Sequence, residues 1–247
     1  MRTYGLIGNP VVHSFSEKYF SDKFKREDIR NAQYSLFLLN EIEELQSLIQ
    51  QVEFSGLNVT IPYKQSVIRY LDEIDEEALA VGAVNTVKFF KKNNKTITKG
   101  FNTDVFGFEK LLEKHNLPDD TQALILGTGG SSRAVAYILK KNKIPFSFVS
   151  RNPSNSISFS YKILSGNMIS EHKLIINTTP LGMSPDVLSF PDIPYNFITN
   201  EHYCIDLIYN PEKTIFLQKC EHREANIING MEMLISQAER SWEIWNQ

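Results

Sequence analysis

A chain of 247 residues with a 42% hydrophobic fraction is long enough to bury one large core or two smaller ones, and the order of its motifs favours two. The formal net charge of −3 and a pI near 6.0 exclude a general attraction to nucleic acid or anionic membrane surfaces, so an anionic ligand has to be held by local groups. Cys204 lies in an apolar run and Cys220 in a polar helical stretch; with two cysteines so placed, neither a disulfide framework nor a Cys-x-x-Cys metal site is available, and both read as reduced packing residues.

Met1-Arg-Thr-Tyr-Gly-Leu-Ile-Gly8 lacks the apolar core of a signal peptide, and no apolar run approaches the length of a membrane span; the expectation is a soluble, cytoplasmic protein. The run over 4–7 ends in Gly8-Asn-Pro10, which suits a buried strand and a turn. A helix is expected to open between His13 and Ser16. Strands follow at 33–39 and 57–61, with helical patterns at 41–51 and 65–71, an alternation that implies a mostly parallel sheet. The acidic stretch 72–77 reads as a helix start with charges suited to the dipole, not as a metal cluster. Segments 83–90 and 96–101 flank Lys91-Lys-Asn-Asn-Lys95, a solvated hairpin tip.

From 122 the alternation restarts, with strands at 123–126, 145–149, 174–177 and 203–208 and helices at 132–140 and 214–222. The Ser-rich stretch 154–171 has a weak helical pattern, so a crossover helix there is expected to shrink to a turn. A last amphipathic helix over 233–245 is expected to return to the first domain. Leu126-Gly-Thr-Gly-Gly-Ser-Ser132 joins a strand to a helix as a dinucleotide fingerprint does. Gly127 allows the tight turn, Gly129 lets the backbone approach a pyrophosphate, and small Ser132 permits close helix–sheet packing, with the helix N-terminus toward the phosphates. Arg151 ends the next strand where an NAD-binding protein usually presents an acid to the ribose, which points to a 2′-phosphate and hence NADP.

Lys64 and Asp104 stand in polar turns upstream of this fingerprint, which places proton chemistry in a separate, leading domain. Hydride arriving at a ketone carbon leaves negative charge on oxygen, so the site needs a positioned proton donor. Lys64 suits that role, and Asp104 suits orienting it and exchanging protons; which is the formal acid or base is open. The competing structural readings are an exposed lysine at a helix start and an N-cap for a helix beginning near Val105. The five histidines show no ligand spacing, and no metal is expected.

Eight segments in order carry a family resemblance: Gly8-Asn-Pro with His13-Ser-Phe-Ser16, Asn58-Val-Thr-Ile-Pro-Tyr-Lys64, Gly82-Ala-Val-Asn-Thr86, Asn102-Thr-Asp104, Gly127-Thr-Gly-Gly130, Asn177-Thr-Thr-Pro-Leu-Gly-Met183, Asp206-Leu-Ile-Tyr-Asn-Pro211 and Gly230-Met-Glu-Met-Leu-Ile-Ser-Gln237. Along nearly its whole length the chain resembles the shikimate dehydrogenases. The resemblance implies an α/β fold: an amino-terminal α/β substrate domain over 1–104, a Rossmann NADP-binding domain over 105–230, and a helix over 231–247 packed on the first. It implies NADPH-dependent reversible reduction of 3-dehydroshikimate to shikimate, in chorismate and aromatic amino-acid biosynthesis, by a monomer or homodimer.

On the same basis Lys64 and Asp104 are catalytic, Ser14 and Ser16 hold the substrate carboxylate, Thr60, Asn85 and Gln237 bind ring hydroxyls, and Tyr209 is a further site residue. The cofactor residues implied are Gly127, Thr128, Gly129, Gly130, Ser131, Ser150, Arg151, Thr178, Leu207, Gly230 and Met233, the last two against the nicotinamide. Where the family carries a further basic residue beyond the arginine, Pro153-Ser-Asn-Ser156 stands here, which leaves the strictness for NADP over NAD open. A quinate/shikimate dehydrogenase with relaxed cofactor use and a noncatalytic NADP-binding protein are the competing readings. Ser16 and Arg151 argue against the first, and Lys64 with Asp104 against the second. Two domains imply a cleft that closes, with hinges near Val105 and Asn229.

Overall fold

The first strand, β1 (Arg2–Gly8), is buried along nearly its whole length, as a strand covered on both sheet faces must be. Its side chains alternate: Tyr4 and Leu6 join one apolar cluster and Ile7 another. The computed structural model to which it belongs describes residues 1–11, 14–115, 117–118, 120–153 and 158–247, with Ser158 in its backbone only. His13, where a helix start was expected, and 154–157 of the Ser-rich stretch lie outside the described residues. The chain divides into two compact units, one of Met1–Thr103 with Gln237–Gln247 and one of Asp104–Ser236.

In the first unit β1 is followed by α1 (Phe15–Arg26), β2 (Ala32–Leu38), α2 (Glu44–Gln51), β3 (Phe54–Val59), β4 (Glu73–Ile74), α3 (Glu76–Val81), β5 (Thr86–Lys92) and β6 (Lys95–Phe101). The sheet order is β2-β1-β3-β5-β6-β4. Pairings β1/β2, β1/β3 and β4/β6 are parallel, and β3/β5 and β5/β6 antiparallel. The β5–β6 connection is the expected hairpin: Asn93 and Asn94 both have positive φ, 51° and 61°, as a two-residue loop matched to strand twist demands.

Two local expectations are corrected. The helical pattern at 65–71 is a 3₁₀ helix, Ser66–Tyr70, too short to repay α-helix nucleation. Within the acidic stretch, Glu73–Ile74 pair with β6 as β4, and the helix starts only after Asp75, whose side chain accepts from Glu77 N.

One face of this sheet packs Tyr4, Phe20, Phe24, Tyr34, Trp242 and Trp245, so the end of the chain completes a core begun by its first strand. Trp245 Nε1 donates to Val87 O at 3.0 Å, and buried Lys23 pairs with Glu239 at 2.7 Å and Glu27 at 2.9 Å. On the other face Ile7, Leu45, Phe54, Leu57, Val67 and Val87 form a second cluster.

The second unit holds most of α4 (Thr103–Glu113), then β7 (Ala123–Leu126), α5 (Gly130–Lys141), β8 (Phe146–Ser150), β9 (Ser158–Ser160), α6 (Gly166–Glu171), β10 (Leu174–Asn177), β11 (Tyr203–Asp206), α7 (Ile215–Glu221), β12 (Asn226–Ile228) and the start of α8 (Met231–Asn246). Its sheet is wholly parallel, in the order β12-β11-β10-β7-β8-β9, the doubly wound arrangement with its order reversing between β10 and β7. Among the described residues of the Ser-rich stretch there are a strand, a 3₁₀ turn (Tyr161–Ile163) and a six-residue helix. The unit division falls inside α8, after Ser236; the helix itself begins at Met231 and runs unbroken past that point to Asn246.

Candidate functional site

Chain direction gathers the first unit's candidate residues at one sheet edge. β1 and β3 are parallel and β5 is antiparallel to β3, so the ends of β1 and β3, the start of β5 and the end of β6 lie along the same side. Thr60, just past β3, donates its N–H to Ile7 O at 2.9 Å, while Asn85 N, just before β5, donates to Phe101 O at 3.0 Å. Lys64 lies in the turn after β3, half-buried, with its carbonyl accepting from Val84 N at 2.7 Å. Ser14 is the N-cap of α1 and accepts from Ser16 N at 3.2 Å, so the capping role and proximity to Ser16 coexist.

Asn85 is the hub of this edge and is 3% exposed. Its Oδ1 accepts from Thr103 N at 2.7 Å. Its Nδ2 donates to Thr103 Oγ1 at 3.0 Å and to Gln237 Oε1 at 3.3 Å. Two candidates 152 positions apart are thus joined directly. Behind them lies a buried layer that sequence reading did not assign to the site: Asn58, Thr86, Thr103 and Ser241. Tyr34 Oη donates to Asn58 Oδ1 at 2.8 Å, and burial pushes the Tyr34 phenol well up, which keeps it a donor. Asn58, Thr86 and Thr103 stand in the segments that carry the family resemblance, but nothing local joins them to one another or to Ser241, which is 183 positions from Asn58.

Asp104 and Tyr209 belong to the second unit. Asp104 is buried, 5% exposed, in the first turn of α4, which begins at Thr103. The N-cap reading is therefore corrected: the helix starts one residue before Asp104. Tyr209 follows β11 and is half-buried.

The second unit's candidates fall at the carboxyl ends of its parallel strands, where open α/β sheets bind ligands. Gly127 follows β7, Ser150 ends β8 with Arg151 just past it, Thr178 follows β10, Leu207 follows β11 and Gly230 follows β12. Backbone bonds tie neighbours together: Thr178 N to Leu126 O at 3.0 Å, Leu207 N to Asn177 O at 3.0 Å and Gly230 N to Ile208 O at 3.1 Å.

Gly127 has φ 105°, and a Cβ there would meet Thr178 Oγ1 at 2.9 Å, so this turn needs glycine. Gly129, with Thr128 before it and Gly130 and Ser131 after, caps α5 without a side chain, and a Cβ built on it meets nothing within 4 Å. The cradle is therefore open above the first-turn N–H groups of a twelve-residue helix, which fits a dinucleotide pyrophosphate. Ser132 is fully buried, its Oγ donating to Gly129 O at 2.6 Å. Arg151 is exposed, and Ser150 Oγ accepts from Asn152 N at 3.2 Å. Met233 is buried, at 5% exposure, in the first turn of α8. Among the described residues no cluster of His, Cys, Asp and Glu could hold a metal ion.

A second group missed in the sequence shapes the turns after β10 and β11. Asp206, fully buried, accepts from Thr214 Oγ1 at 2.6 Å, Ile208 N at 3.0 Å and Asn177 Nδ2 at 3.1 Å. Burial pushes its carboxyl from 3.8 up to about 6, against those three donors. In the window between these values the native state holds the proton and the unfolded state does not. The group's contribution is therefore fully present below pH 3.8 and is lost as pH rises through about 6, a change of roughly 3 kcal/mol. Chemical denaturation at stepped pH should show this downward slope for the second unit, and Asp206→Asn should flatten it; an unchanged slope would assign the titration to another group.

The family profile described as the shikimate dehydrogenase substrate binding domain matches residues 6–87. The shikimate dehydrogenase (NADP(+)) of Methanococcus maripaludis is 40% identical over 259 residues, covering 98% of this chain and 90% of that protein. Shikimate dehydrogenase 1 of Peptoclostridium difficile superposes with a TM-score of 0.85 at 33% identity, covering 100% of this chain and 92% of the other. The Thermus thermophilus shikimate 5-dehydrogenase in complex with NADP(H) and shikimate has a TM-score of 0.85 at 27% identity, covering 99% and 93%.

Proposed function

The chain belongs to the shikimate dehydrogenase family, and from that membership we propose how its residues carry out the reaction. The protein is an NADP-dependent oxidoreductase acting on a CH–OH group: it interconverts 3-dehydroshikimate and shikimate. NADPH, when bound, supplies the hydride. The chain's own residues hold the substrate and manage one proton. Lys64 donates it to the oxygen of the ketone as hydride reaches the carbon, and recovers it from the alcohol in the reverse direction. Asp104 orients the ammonium and exchanges protons with it.

Ser14 and Ser16 bind the carboxylate through hydroxyls and the helix start. Thr60, Asn85 and Gln237 bind ring hydroxyls, with Tyr209 as a further contact. The observation that carries this reading is the direct Asn85–Gln237 bond at 3.3 Å on the sheet edge that also carries Thr60 and Lys64: amides and hydroxyls gathered there suit a small polyhydroxylated acid. Gly127 to Ser131 hold the pyrophosphate, Ser150 and Arg151 the 2′-phosphate, and Thr178, Leu207, Gly230 and Met233 the nicotinamide end. A cytoplasmic location and a monomeric or homodimeric state belong to the same proposal. Two buried free thiols, Cys204 and Cys220, suit a reducing compartment.

Purified protein should reduce NADP⁺ with shikimate much faster than NAD⁺ with quinate, and equal rates would overturn the substrate assignment. Arg151→Ala should weaken NADP⁺ binding about tenfold or more, the worth of a charge-assisted hydrogen bond, without weakening NAD⁺ binding. Equal loss for both cofactors in a fluorescence titration would remove Arg151 from the 2′-phosphate.

A further inference from the structure

We propose that Ser241 is a positioning residue for substrate recognition: its buried hydroxyl holds Thr103 and Gln237 in the arrangement that presents Asn85 and Gln237 to ring hydroxyls. This inference rests on the substrate roles proposed for those two amides.

Ser241 has no solvent exposure and lies one helical turn beyond Gln237. Its Oγ donates to Gln237 O at 2.9 Å, which commits its single proton. Toward every other neighbour the oxygen then acts as an acceptor. Asn58 Nδ2 lies at 3.1 Å, but its two protons also have Asn85 O and Thr86 Oγ1 within 3.2 Å, which leaves the serine's two lone pairs to the threonines. Thr86 Oγ1 lies at 2.8 Å and Thr103 Oγ1 at 3.1 Å, so with the serine proton spent both threonines are the donors. The direction of the hydroxyl protons through this layer is set by one oxygen.

The consequence reaches the proposed substrate amides through Thr103. That residue holds both ends of the Asn85 carboxamide, N–H to Oδ1 at 2.7 Å and Oγ1 from Nδ2 at 3.0 Å, and its Oγ1 lies 3.3 Å from Gln237 Oε1. Without the serine oxygen, the Thr86 hydroxyl is left to turn toward Asn85 Oδ1 at 3.2 Å or Thr103 Oγ1 at 3.1 Å, where it competes with the bonds that fix the carboxamide. Thr103 in turn directs its proton to an amide oxygen. Water cannot stand in for the lost hydroxyl at a site with no exposure unless the packing opens.

Steady-state kinetics with direct NADP⁺ titration tests this. Ser241→Ala should raise the KM for shikimate about two- to tenfold, the worth of one buried hydrogen bond, with kcat and the NADP⁺ dissociation constant unchanged. In the Gln237→Ala background the same substitution should raise the KM less than it does alone, because only the Asn85 contact is left for it to disturb. A fall in melting temperature with an unchanged KM would make Ser241 merely structural and overturn the inference. Should the alanine variant not fold, Ser241→Cys, which keeps the volume but replaces the hydroxyl with a weak donor and acceptor, is expected to give the same split, and an unchanged KM there overturns it equally. Asn85→Ala and Gln237→Ala alone separate the two possible failures: if neither raises the KM, the substrate roles themselves are wrong, whereas if both do and Ser241→Ala does not, only the positioning role falls.

Discussion

Lys64→Ala lowers turnover by about 10²- to 10⁴-fold, the usual contribution of a positioned proton donor, and leaves NADP⁺ affinity intact. The alkoxide formed by hydride addition has to be neutralised as it develops, and without the ammonium the proton must come from water, which is neither oriented nor acidic enough at neutral pH. The side chain lies in a turn whose backbone is fixed by Val84 N at 2.7 Å from the Lys64 carbonyl, so removing the amine should not disturb the local chain. The loss is expected in kcat and kcat/KM together, the pattern of an interaction made in the transition state. Stopped-flow single turnovers with a parallel cofactor titration check it. If the variant instead turned over normally but bound NADP⁺ poorly, Lys64 would have no role in the chemistry.

The second large effect is on stability. Trp245→Ala should cost about 3–5 kcal/mol, the range for emptying a large aromatic site in a core. The indole is 7% exposed, its ring centroid lies 4.9 Å from Tyr4 and 5.5 Å from Phe20, and its Nε1 bonds Val87 O. A side chain at Gly56 would fall on the same indole, so strand and tryptophan are fitted to each other and the cavity has little means of collapsing.

Because the chain forms two compact units, a single two-state transition is not the right measure. Hydrogen exchange followed by mass spectrometry on each unit's peptides resolves them. Protection should fall across β1, β3 and α1 and stay unchanged across β7, β10 and β11. A uniform loss in both units, or a loss under about 1 kcal/mol in the first, would refute this account of the carboxy-terminal helix.

Where structure depends on neighbours in the chain, the residues announce it. The strands at 123–126 and 174–177 have the bounds read from their apolar runs, because each is buried on both faces and flanked by residues that turn. The α/β class, the Gly-rich turn and the hairpin at Asn93-Asn94 are legible for the same reason. Short strands are not. β4 and β12 have two and three residues, and their hydrogen bonds are completed by partners that no local pattern names. At 65–71 the apolar spacing is helical but too brief to choose between α and 3₁₀ geometry.

The candidate site divides along the same line. The residues proposed for hydride and phosphate chemistry, Lys64, Asp104, Arg151 and the glycines, stand in recognisable local motifs, since their backbone settings demand particular neighbours. Asn58, Thr86, Thr103 and Asp206 stand in such segments too, but nothing local shows that the first three meet Ser241 in one layer or that Asp206 gathers three donors. Each of those side chains is unremarkable where it stands in the chain, and becomes part of a network only when strand order and the return of the last helix bring distant segments within hydrogen-bond reach. Local periodicity and turn chemistry act over a few residues and so can be read one window at a time. The partners of a buried polar group are decided by packing across the whole chain, because burial is what compels the group to find a partner at all.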